Sequence, residues 1–235
     1  MNTRNATFES YVRGPASACA YRLCQAAARS APNMPPVLLL HGPTGTGKTH
    51  LLDATAGAFH ATNPDRRVVV TTAHELRHAL VAAVRLDRVR DFERAYLDVA
   101  LLLIDDLHVL VDRPGTQDGL ARGLASCVTA GVRVIGAATA PLRALAVFRS
   151  ILEQQSHAHV RQCRVNPPSR REMRAIAAAL ASGRSIAISS TMLNRVARRS
   201  HGDVRRALGA LTHVEAMSVL PGARPAPAWM AENAN

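Results

Sequence analysis

The sequence has few cysteines, and their spacing points to no covalent or metal framework. Cys19, Cys24, Cys127 and Cys163 form no C-x-x-C pair, which argues against a disulfide framework or a zinc site. We expect reduced and mostly buried thiols. The chain also lacks an apolar run of the ~18 residues that a membrane helix needs, and its first residues lack the apolar core of a signal peptide. These absences predict a cytoplasmic protein.

Lysine is almost absent, although the chain is strongly basic. Lys48 is the one lysine among 29 lysine and arginine residues, and the net charge is +12. This charge exceeds what solubility requires and indicates a polyanionic partner such as nucleic acid. A GC-rich genome that favours arginine, or an ordinary solvated surface, would give the same bias. Composition alone leaves both interpretations open.

Short apolar segments alternate with helical patterns over the first two thirds of the chain. The alternation predicts an α/β domain with a parallel sheet flanked by helices. The strand candidates are continuous and apolar, as expected for strands covered on both faces, and span 37–40, 68–71, 100–104 and 132–137. Helices are predicted over 16–30, 48–60, 73–84, 88–96 and 116–130. Gly131 is suited to end the last of these in a left-handed conformation.

The pattern changes at Asn166-Pro167-Pro168, after which only helical periodicity follows. Three short helices are predicted over 169–182, 189–200 and 203–219. Ser169 and Glu172 have the spacing of a capping box, and Gly202-Asp203 supplies a turn before the last helix. We therefore expect a nucleotide-binding domain over 1–165, a basic helical lid over 166–219 and a disordered proline-rich tail over 220–235.

The segment HGPTGTGKTH, residues 41–50, lies between a predicted strand and a predicted helix and fits G-x-x-x-x-G-K-[ST]. Its glycines let backbone amides approach phosphate oxygens, and the following helix presents its positive end to the same anion. Lys48 would reach the β and γ phosphates, and the Thr49 hydroxyl would ligate Mg²⁺. The nucleotide-contacting residues of this loop are predicted to be Gly42, Pro43, Thr44, Gly45, Thr46, Gly47, Lys48, Thr49 and His50.

A second apolar strand ends in Asp105-Asp106. A strand end beside a phosphate loop is where Mg²⁺ needs an oxygen ligand, which Asp105 can supply. Asp106 would then orient the attacking water or accept its proton. The competing interpretation is a pair of solvated carboxylates that opens a loop. Thr139, after the last predicted strand, is a further candidate for contact with the γ phosphate or with this water.

These motifs resemble the AAA+ ATPases, and within them the ATPase module of the bacterial replication initiator DnaA family. Residues 7–14, TFESYVRG, look like the segment that begins this module, and Gly47-Lys48-Thr49-His50-Leu51-Leu52 is similar to its phosphate loop. Residues 91–96 before the Asp105 strand resemble the extra helix pair of initiators. Residues 202–211, GDVRRALGAL, are similar to the second sensor. The resemblance spans roughly residues 7–218.

The resemblance implies roles for residues outside the phosphate loop. Tyr11 and Val12 would cradle adenine, and Arg205 would match the arginine of the second sensor that folds onto the nucleotide. The extra helix pair implies a surface for single-stranded DNA, with arginines facing the phosphates. Such contacts neutralise charge without reading sequence and are salt-sensitive. The arginines concerned are Arg85, Arg88, Arg90 and Arg94. An exposed helical face that carries interspersed acidic residues is the alternative.

Two departures from the family qualify what the resemblance implies. We expect neither the initiator's helix-turn-helix domain nor its helicase-binding domain, and so not a complete initiator. The family's arginine finger, counted back from Asn166, falls at Ser156, while the nearby Arg149 and Arg161 stand outside the pattern. Since such a finger contributes ~10³ to 10⁵ in rate, self-assembled hydrolysis is in doubt, whereas ATP binding is not.

Three functional hypotheses remain. The first is an initiator-like AAA+ ATPase that binds ATP and Mg²⁺, acts in DNA replication or its control, and associates with an initiator, other AAA+ protomers or single-stranded DNA. Its oligomerisation would depend on the nucleotide. The second is a helicase-loader or transposition-helper ATPase. The third is an ATP-gated binding module with little turnover.

Overall fold

The structure is a computed structural model that describes residues 6–139 and 142–219. Two compact units divide these residues. Unit 1 comprises 6–11, 17–43, 47–139 and 142–166, and unit 2 comprises 12–16, 44–46 and 167–219. The proline-rich tail predicted over 220–235 lies outside the described residues.

A five-stranded parallel sheet forms the centre of unit 1. Its strands, in chain order β1 to β5, are Val37–His41, Val68–Thr72, Leu101–Asp105, Arg133–Ala138 and Val160–Arg164. Their spatial order is β2-β3-β4-β1-β5. The helices of this unit, α1 to α6, are Ala18–Ala28, Lys48–Thr62, Ala73–Arg85, Val89–Leu97, Pro114–Thr129 and Ala146–Ser156. The predicted parallel sheet flanked by helices is confirmed.

The continuous apolar strands fill two cores at once because successive side chains point to opposite faces of a sheet. In β1, Val37 and Leu39 pack into the core that contains Leu76, Leu120 and Phe148. The alternate residues of the strand, Leu38 and Leu40, pack on the other face with residues of α1 and α2. Two buried faces explain why these strands show no polar alternation.

The sequence analysis missed β5 and α6. Val160 and Cys163 of β5 are buried, but Arg161, Gln162 and Arg164 are exposed. Because three of its five residues are polar and exposed, β5 lacks the continuous apolar pattern that identified the others, including the opposite edge strand β2. The predicted bounds of the remaining elements differ from those observed by one or two residues, as helix ends commonly do. Gly131 has the predicted positive φ, at 96°.

Unit 2 contains three described helices, α7 at Arg170–Ser182, α8 at Ser190–Arg199 and α9 at Val204–Val219. The predicted capping box is present, since Ser169 and Glu172 cap each other's backbone N–H groups. Asp203 Oδ1 accepts a hydrogen bond from the backbone N of Arg205 at 2.8 Å and so caps α9. Met173, Val196 and Ala207 belong to the buried core of the three helices.

All four cysteines lie within the described residues as free thiols, with Cys19 exposed and the other three buried. In residues 6–139 and 142–219, no helix is both long and apolar enough to cross a membrane.

Candidate nucleotide-binding site

The loop that follows β1 leaves the sheet where the backbone is tightly packed. The Gly42 N–H donates to the carbonyl oxygen of Ala138 at 3.2 Å, and a side chain at Gly42 would collide with the carbonyl oxygen of Val165. Gly47, which precedes α2, has a φ of 91° that L side chains rarely adopt. Its α-carbon also lies against the Tyr11 ring, to which an added Cβ would approach within 3.0 Å. Glycine is therefore required at both positions.

Lys48 is buried, with 6% of its surface exposed, which is unusual for lysine. Its Nζ donates to the carbonyl oxygens of Gly42 at 2.8 Å and Pro43 at 2.7 Å. These neutral acceptors hold the ammonium under the loop. A phosphate oxygen is a stronger, charged acceptor for the same donors, so the position suits anion binding.

Thr49, in the first turn of α2, meets Asp105 at the end of β3. The Thr49 hydroxyl donates to Asp105 Oδ2 at 2.6 Å, and Asp105 Oδ1 accepts the backbone N–H of Asp106 at 2.8 Å. A hydroxyl and a carboxylate are hard oxygen ligands of the kind that Mg²⁺ prefers. The donor set at this point therefore fits a magnesium ion.

Asp53 is a neighbouring carboxylate that the sequence analysis missed. Burial raises the pKa of Asp53, and the negative charge of Asp105 raises it further, whereas His50 lowers it. Asp53 lies four residues after Thr49, so the two share one face of α2. This spacing is the sequence signal that could have identified it.

Asp106 follows β3 and Thr139 follows β4, so both lie at the carboxyl ends of the parallel strands. Asp106 has a left-handed backbone with a φ of 58°, and its side chain is 48% exposed. Its Oδ1 lies 3.7 Å from His108 Nδ1. Thr139 directly follows Ala138, the residue whose carbonyl oxygen accepts the Gly42 N–H. Parallel strand order thus brings both predicted residues to the edge of the sheet where the phosphate loop begins.

The segment before α1 is tied to α2 through His50. The His50 Nε2 donates to the carbonyl oxygen of Thr7 at 2.9 Å and lies 3.3 Å from Ser10 Oγ. The His50 ring is also in edge contact with Tyr11, with centroids 5.2 Å apart. Phe8 and Tyr21 extend this cluster with a second edge contact, also at 5.2 Å. The sequence analysis named Tyr11 and His50 but neither Phe8 nor Tyr21.

Unit 2 contains the middle of the loop, residues 44–46, together with the predicted second sensor. Arg205 Nη1 donates to Thr44 Oγ1 at 3.1 Å, and the Val204 N–H donates to the carbonyl oxygen of Gly45 at 2.9 Å. Thr46 is buried, with 3% exposed. The predicted adenine contact Val12 is half-buried and also belongs to unit 2.

The four predicted DNA-contacting arginines lie on or between α3 and α4, and all are exposed. They are Arg85, Arg88, Arg90 and Arg94. Two apolar side chains are also exposed on this surface, Val84 at 60% and Leu86 at 66%. Arg94 Nη1 lies 3.8 Å from Asp91 Oδ1, a loose and exposed pairing that contributes little to stability.

The position predicted for the arginine finger is the last residue of α6. The Ser156 hydroxyl donates to the carbonyl oxygen of Leu152 at 2.6 Å and accepts from the Ala158 N–H at 3.3 Å. Arg149 lies within the same helix, with its Nε 3.7 Å from Glu153 Oε2, and Arg161 is exposed on β5. Ser156 thus uses its hydroxyl within its own helix end and carries no charge toward a neighbour.

The chain is similar to known proteins in sequence and in fold. A model of the bacterial DnaA ATPase domain matches residues 1–160. The chromosomal replication initiator protein DnaA of Caulobacter vibrioides (strain NA1000 / CB15N) is 31% identical over 218 residues, which cover 89% of this chain and 44% of that protein. The chain therefore spans less than half the length of this curated relative.

Solved structures agree in fold. Domain III of the Thermotoga maritima replication initiation protein DnaA superimposes with a TM-score of 0.79 at 26% identity, covering 89% of this chain and 87% of that one. A replication initiator DnaA bound to AMPPCP and single-stranded DNA has a TM-score of 0.76 at 19% identity, covering 90% and 65%. The chain belongs to the family of the bacterial DnaA ATPase domain.

Proposed function

We propose that the chain binds ATP with Mg²⁺ and acts in the cytoplasm in the initiation of DNA replication or in its control. The observation that carries the proposal is the 2.6 Å hydrogen bond between Thr49 and Asp105, beside the buried ammonium of Lys48. The Lys48 ammonium and two hard oxygen ligands, the Thr49 hydroxyl and the Asp105 carboxylate, lie where the phosphate loop joins α2. This combination suits a nucleotide triphosphate with its metal.

Each residue of the proposed site has a distinct part. Loop amides and Lys48 hold the phosphates, and Tyr11 with Val12 contacts adenine. Thr49 and Asp105 would hold Mg²⁺, which when bound neutralises charge on the β and γ phosphates. Asp106 orients the water that attacks the γ phosphate, or accepts its proton, and Thr139 hydrogen-bonds the same group. Arg205, which donates to Thr44, contributes a positive charge to the nucleotide.

Hydrolysis is proposed to depend on a partner. Ser156 stands where the family has a finger arginine, and a serine cannot stabilise the charge that develops on the γ phosphate. Isolated copies of the chain should therefore hydrolyse ATP slowly. An AAA+ partner such as an initiator protomer would supply the missing finger arginine. If turnover stays low with every partner, the chain is an ATP-gated binding module instead.

Single-stranded DNA is the proposed nucleic-acid ligand of the α3–α4 surface. Four exposed arginines there are unobstructed by tight ion pairs among the described residues. A fold relative is named as bound to single-stranded DNA. Arginine contacts to phosphates would provide affinity without sequence preference.

The nucleotide proposal is tested by titrating the full chain with ATP and Mg²⁺ in a calorimeter. Lys48→Ala should abolish binding, because it removes the ammonium group buried beneath the loop. Arg22→Ala, which removes an exposed positive charge from α1, should bind as the unmodified chain does. Unchanged affinity in Lys48→Ala would disprove the site. Turnover is then measured alone, with single-stranded DNA, and with the host's full-length initiator.

The DNA proposal is tested by the anisotropy of a labelled single-stranded oligonucleotide over a range of salt concentrations. Arg88→Ala with Arg90→Ala should lower affinity and reduce the slope of log K against log salt by about 1.4, or ~0.7 for each lost phosphate contact. Arg22→Ala with Arg29→Ala removes the same charge from α1 and the residue that follows it. Equal losses in the two double variants would mean that the DNA responds only to net charge.

A further inference from the structure

Two cysteines are in contact where the start of α1 meets β5. Cys19 lies in the first turn of α1 and is exposed, whereas Cys163 lies in β5 and is buried. The side chains of the two residues are hydrogen-bonded to each other. More than half of the chain lies between them in sequence. Neither the proposed nucleotide site nor the proposed DNA surface uses these thiols.

The contact follows from the packing of α1 on the sheet. In unit 1, α1 packs directly against β5. Ala20 and Cys24, which are one helical turn apart, belong to the same buried cluster as Cys163. Cys19 precedes Ala20 and lies at the exposed margin of this packed face. The pair therefore joins one cysteine that solvent reaches to one that the fold encloses.

The two thiols differ in their access to an oxidant and in their protonation. Burial, together with the hydrogen bond to Cys19, raises the pKa of the Cys163 thiol to about 12. Cys163 is therefore protonated at neutral pH, and the thiolate is the form of cysteine that reacts with oxidants. Oxidation should begin at the exposed Cys19, which leaves Cys163 as the partner that reacts second.

We propose that Cys19 and Cys163 form a reversible disulfide when the chain meets hydrogen peroxide. The Cys19 sulfur first attacks the O–O bond of the peroxide, which breaks, and the products are a Cys19 sulfenic acid and water. The Cys163 sulfur then attacks the Cys19 sulfur, and the S–O bond breaks. The hydroxyl leaves with the Cys163 proton as a second water. Both thiols are oxidised, and the peroxide takes up the two electrons.

The proposed disulfide is a transient modification and is independent of the nucleotide proposal. In a reducing compartment the two thiols stay reduced, as they are in the structure, and a thiol reductant reverses the bond by exchange. The contact makes the second step intramolecular, which favours it over a reaction between two chains. The bond would link α1 to β5 close to the phosphate loop. Two residues after Cys163, the Val165 N–H donates to the carbonyl oxygen of His41 at 2.7 Å.

The test treats the full chain with hydrogen peroxide under native conditions, then alkylates it and digests it with trypsin without reductant. Trypsin cleaves after Arg22, so Cys19 and Cys24 fall in different peptides. The peptides that contain Cys19, Cys24 and Cys163 are 14–22, 23–29 and 162–164. Mass spectrometry should find the first and third as one linked species, lighter by about 2 Da than the two reduced peptides together. Dithiothreitol should release them.

Three variants separate the steps of the reaction. Cys19→Ser, at an exposed position, should abolish the linked species, whereas Cys127→Ser, which removes a thiol from α5, should preserve it. Cys163→Ala should leave Cys19 as a sulfenic acid, which dimedone labels roughly tenfold more than in the unmodified chain. Circular dichroism melting verifies that each variant is folded. In the unmodified chain, a link from Cys19 to Cys24, a disulfide between two copies, or oxidised Cys19 without a link would overturn the proposal.

Discussion

The Thr49 hydroxyl donates a hydrogen bond to Asp105 Oδ2 across 2.6 Å, joining the first turn of α2 to the end of β3. The two residues are 56 positions apart in the chain, and β4 lies between β1 and β3 in the sheet. The contact exists because parallel strands end at one edge of the sheet, where the loop after β1 also begins. The sheet therefore positions Asp105, and the first turn of α2, which follows the loop after β1, positions Thr49.

Substitutions at Thr49 should separate metal binding from folding. Thr49→Val removes the hydroxyl while it keeps the shape, and we expect ATP affinity in Mg²⁺ to fall to the level measured with EDTA. Thr49→Ser keeps the hydroxyl, so its ATP affinity should remain higher in Mg²⁺ than in EDTA. Calorimetric titrations with Mg²⁺ and with EDTA measure both. Full Mg²⁺ dependence in Thr49→Val would show that this hydroxyl is no ligand.

Arg205→Ala should affect the nucleotide more than the fold. The side chain is exposed and donates one hydrogen bond to Thr44, so the free energy of unfolding should change by no more than about 0.5 kcal/mol. ATP affinity or partner-stimulated turnover should fall, because a positive charge is lost from the proposed site. Arg198→Ala, an exposed charge on α8, is the matched control. Identical nucleotide behaviour in the two variants would contradict the role of Arg205.

Two glycine substitutions should change stability in opposite directions. A Cβ at Gly136, in the middle of β4, would collide with Leu107 and approach Leu39 Cδ2 to 3.0 Å, so Gly136→Ala should cost about 1–3 kcal/mol. A Cβ at Gly57, on the exposed side of α2, meets no atom within 4 Å. Gly57→Ala should therefore stabilise the helix by up to about 1 kcal/mol. Urea unfolding measures both, and a neutral Gly136→Ala would contradict the packing of β4.

Acidification should destabilise the fold through His41. Burial lowers the pKa of His41 below its usual value near 6.5, and the charges of Arg164 and Lys48 lower it further. The unfolded chain then binds the proton more tightly than the folded chain does, so stability falls as the pH drops below about 6.5. The loss levels off below the lowered pKa of the folded state.

His41→Asn removes the titrating group, so stability should change less between pH 7.5 and pH 5 than it does in the unmodified chain. Urea unfolding at the two pH values provides the comparison. The raised pKa of Asp53 has the opposite effect on stability, because the folded chain then binds the proton more tightly and is stabilised as the pH falls. An unchanged pH dependence in His41→Asn would exclude His41 as the cause.

Part of the fold followed directly from local patterns. Strands β1 and β3 were predictable because both faces of each are buried, so that every residue but the last is apolar. The caps at Ser169 and Asp203 were predictable because they depend on residues within a few positions. Strand β5 was not predictable in this way, since three of its five residues are exposed and they lie on both faces of the strand.

The candidate site also contains residues that local patterns predict and residues that they do not. Lys48 and Thr49 could be identified from the glycine-rich loop and its flanking elements, and Asp105 from the strand that precedes it. The aromatic contacts of Phe8 and Tyr21 and the influence of Asp105 on Asp53 could not, because they join segments that are distant in the chain or carry no motif.

The sequence by itself determined the loop, the strands with two buried faces and the helix caps, since local spacing and side-chain chemistry suffice for each. Only the tertiary structure decided which side chains meet. Strand order brought Asp105 to Thr49, and the fold of unit 2 brought Arg205 to Thr44. These contacts depend on the packing of whole elements, which no local pattern encodes.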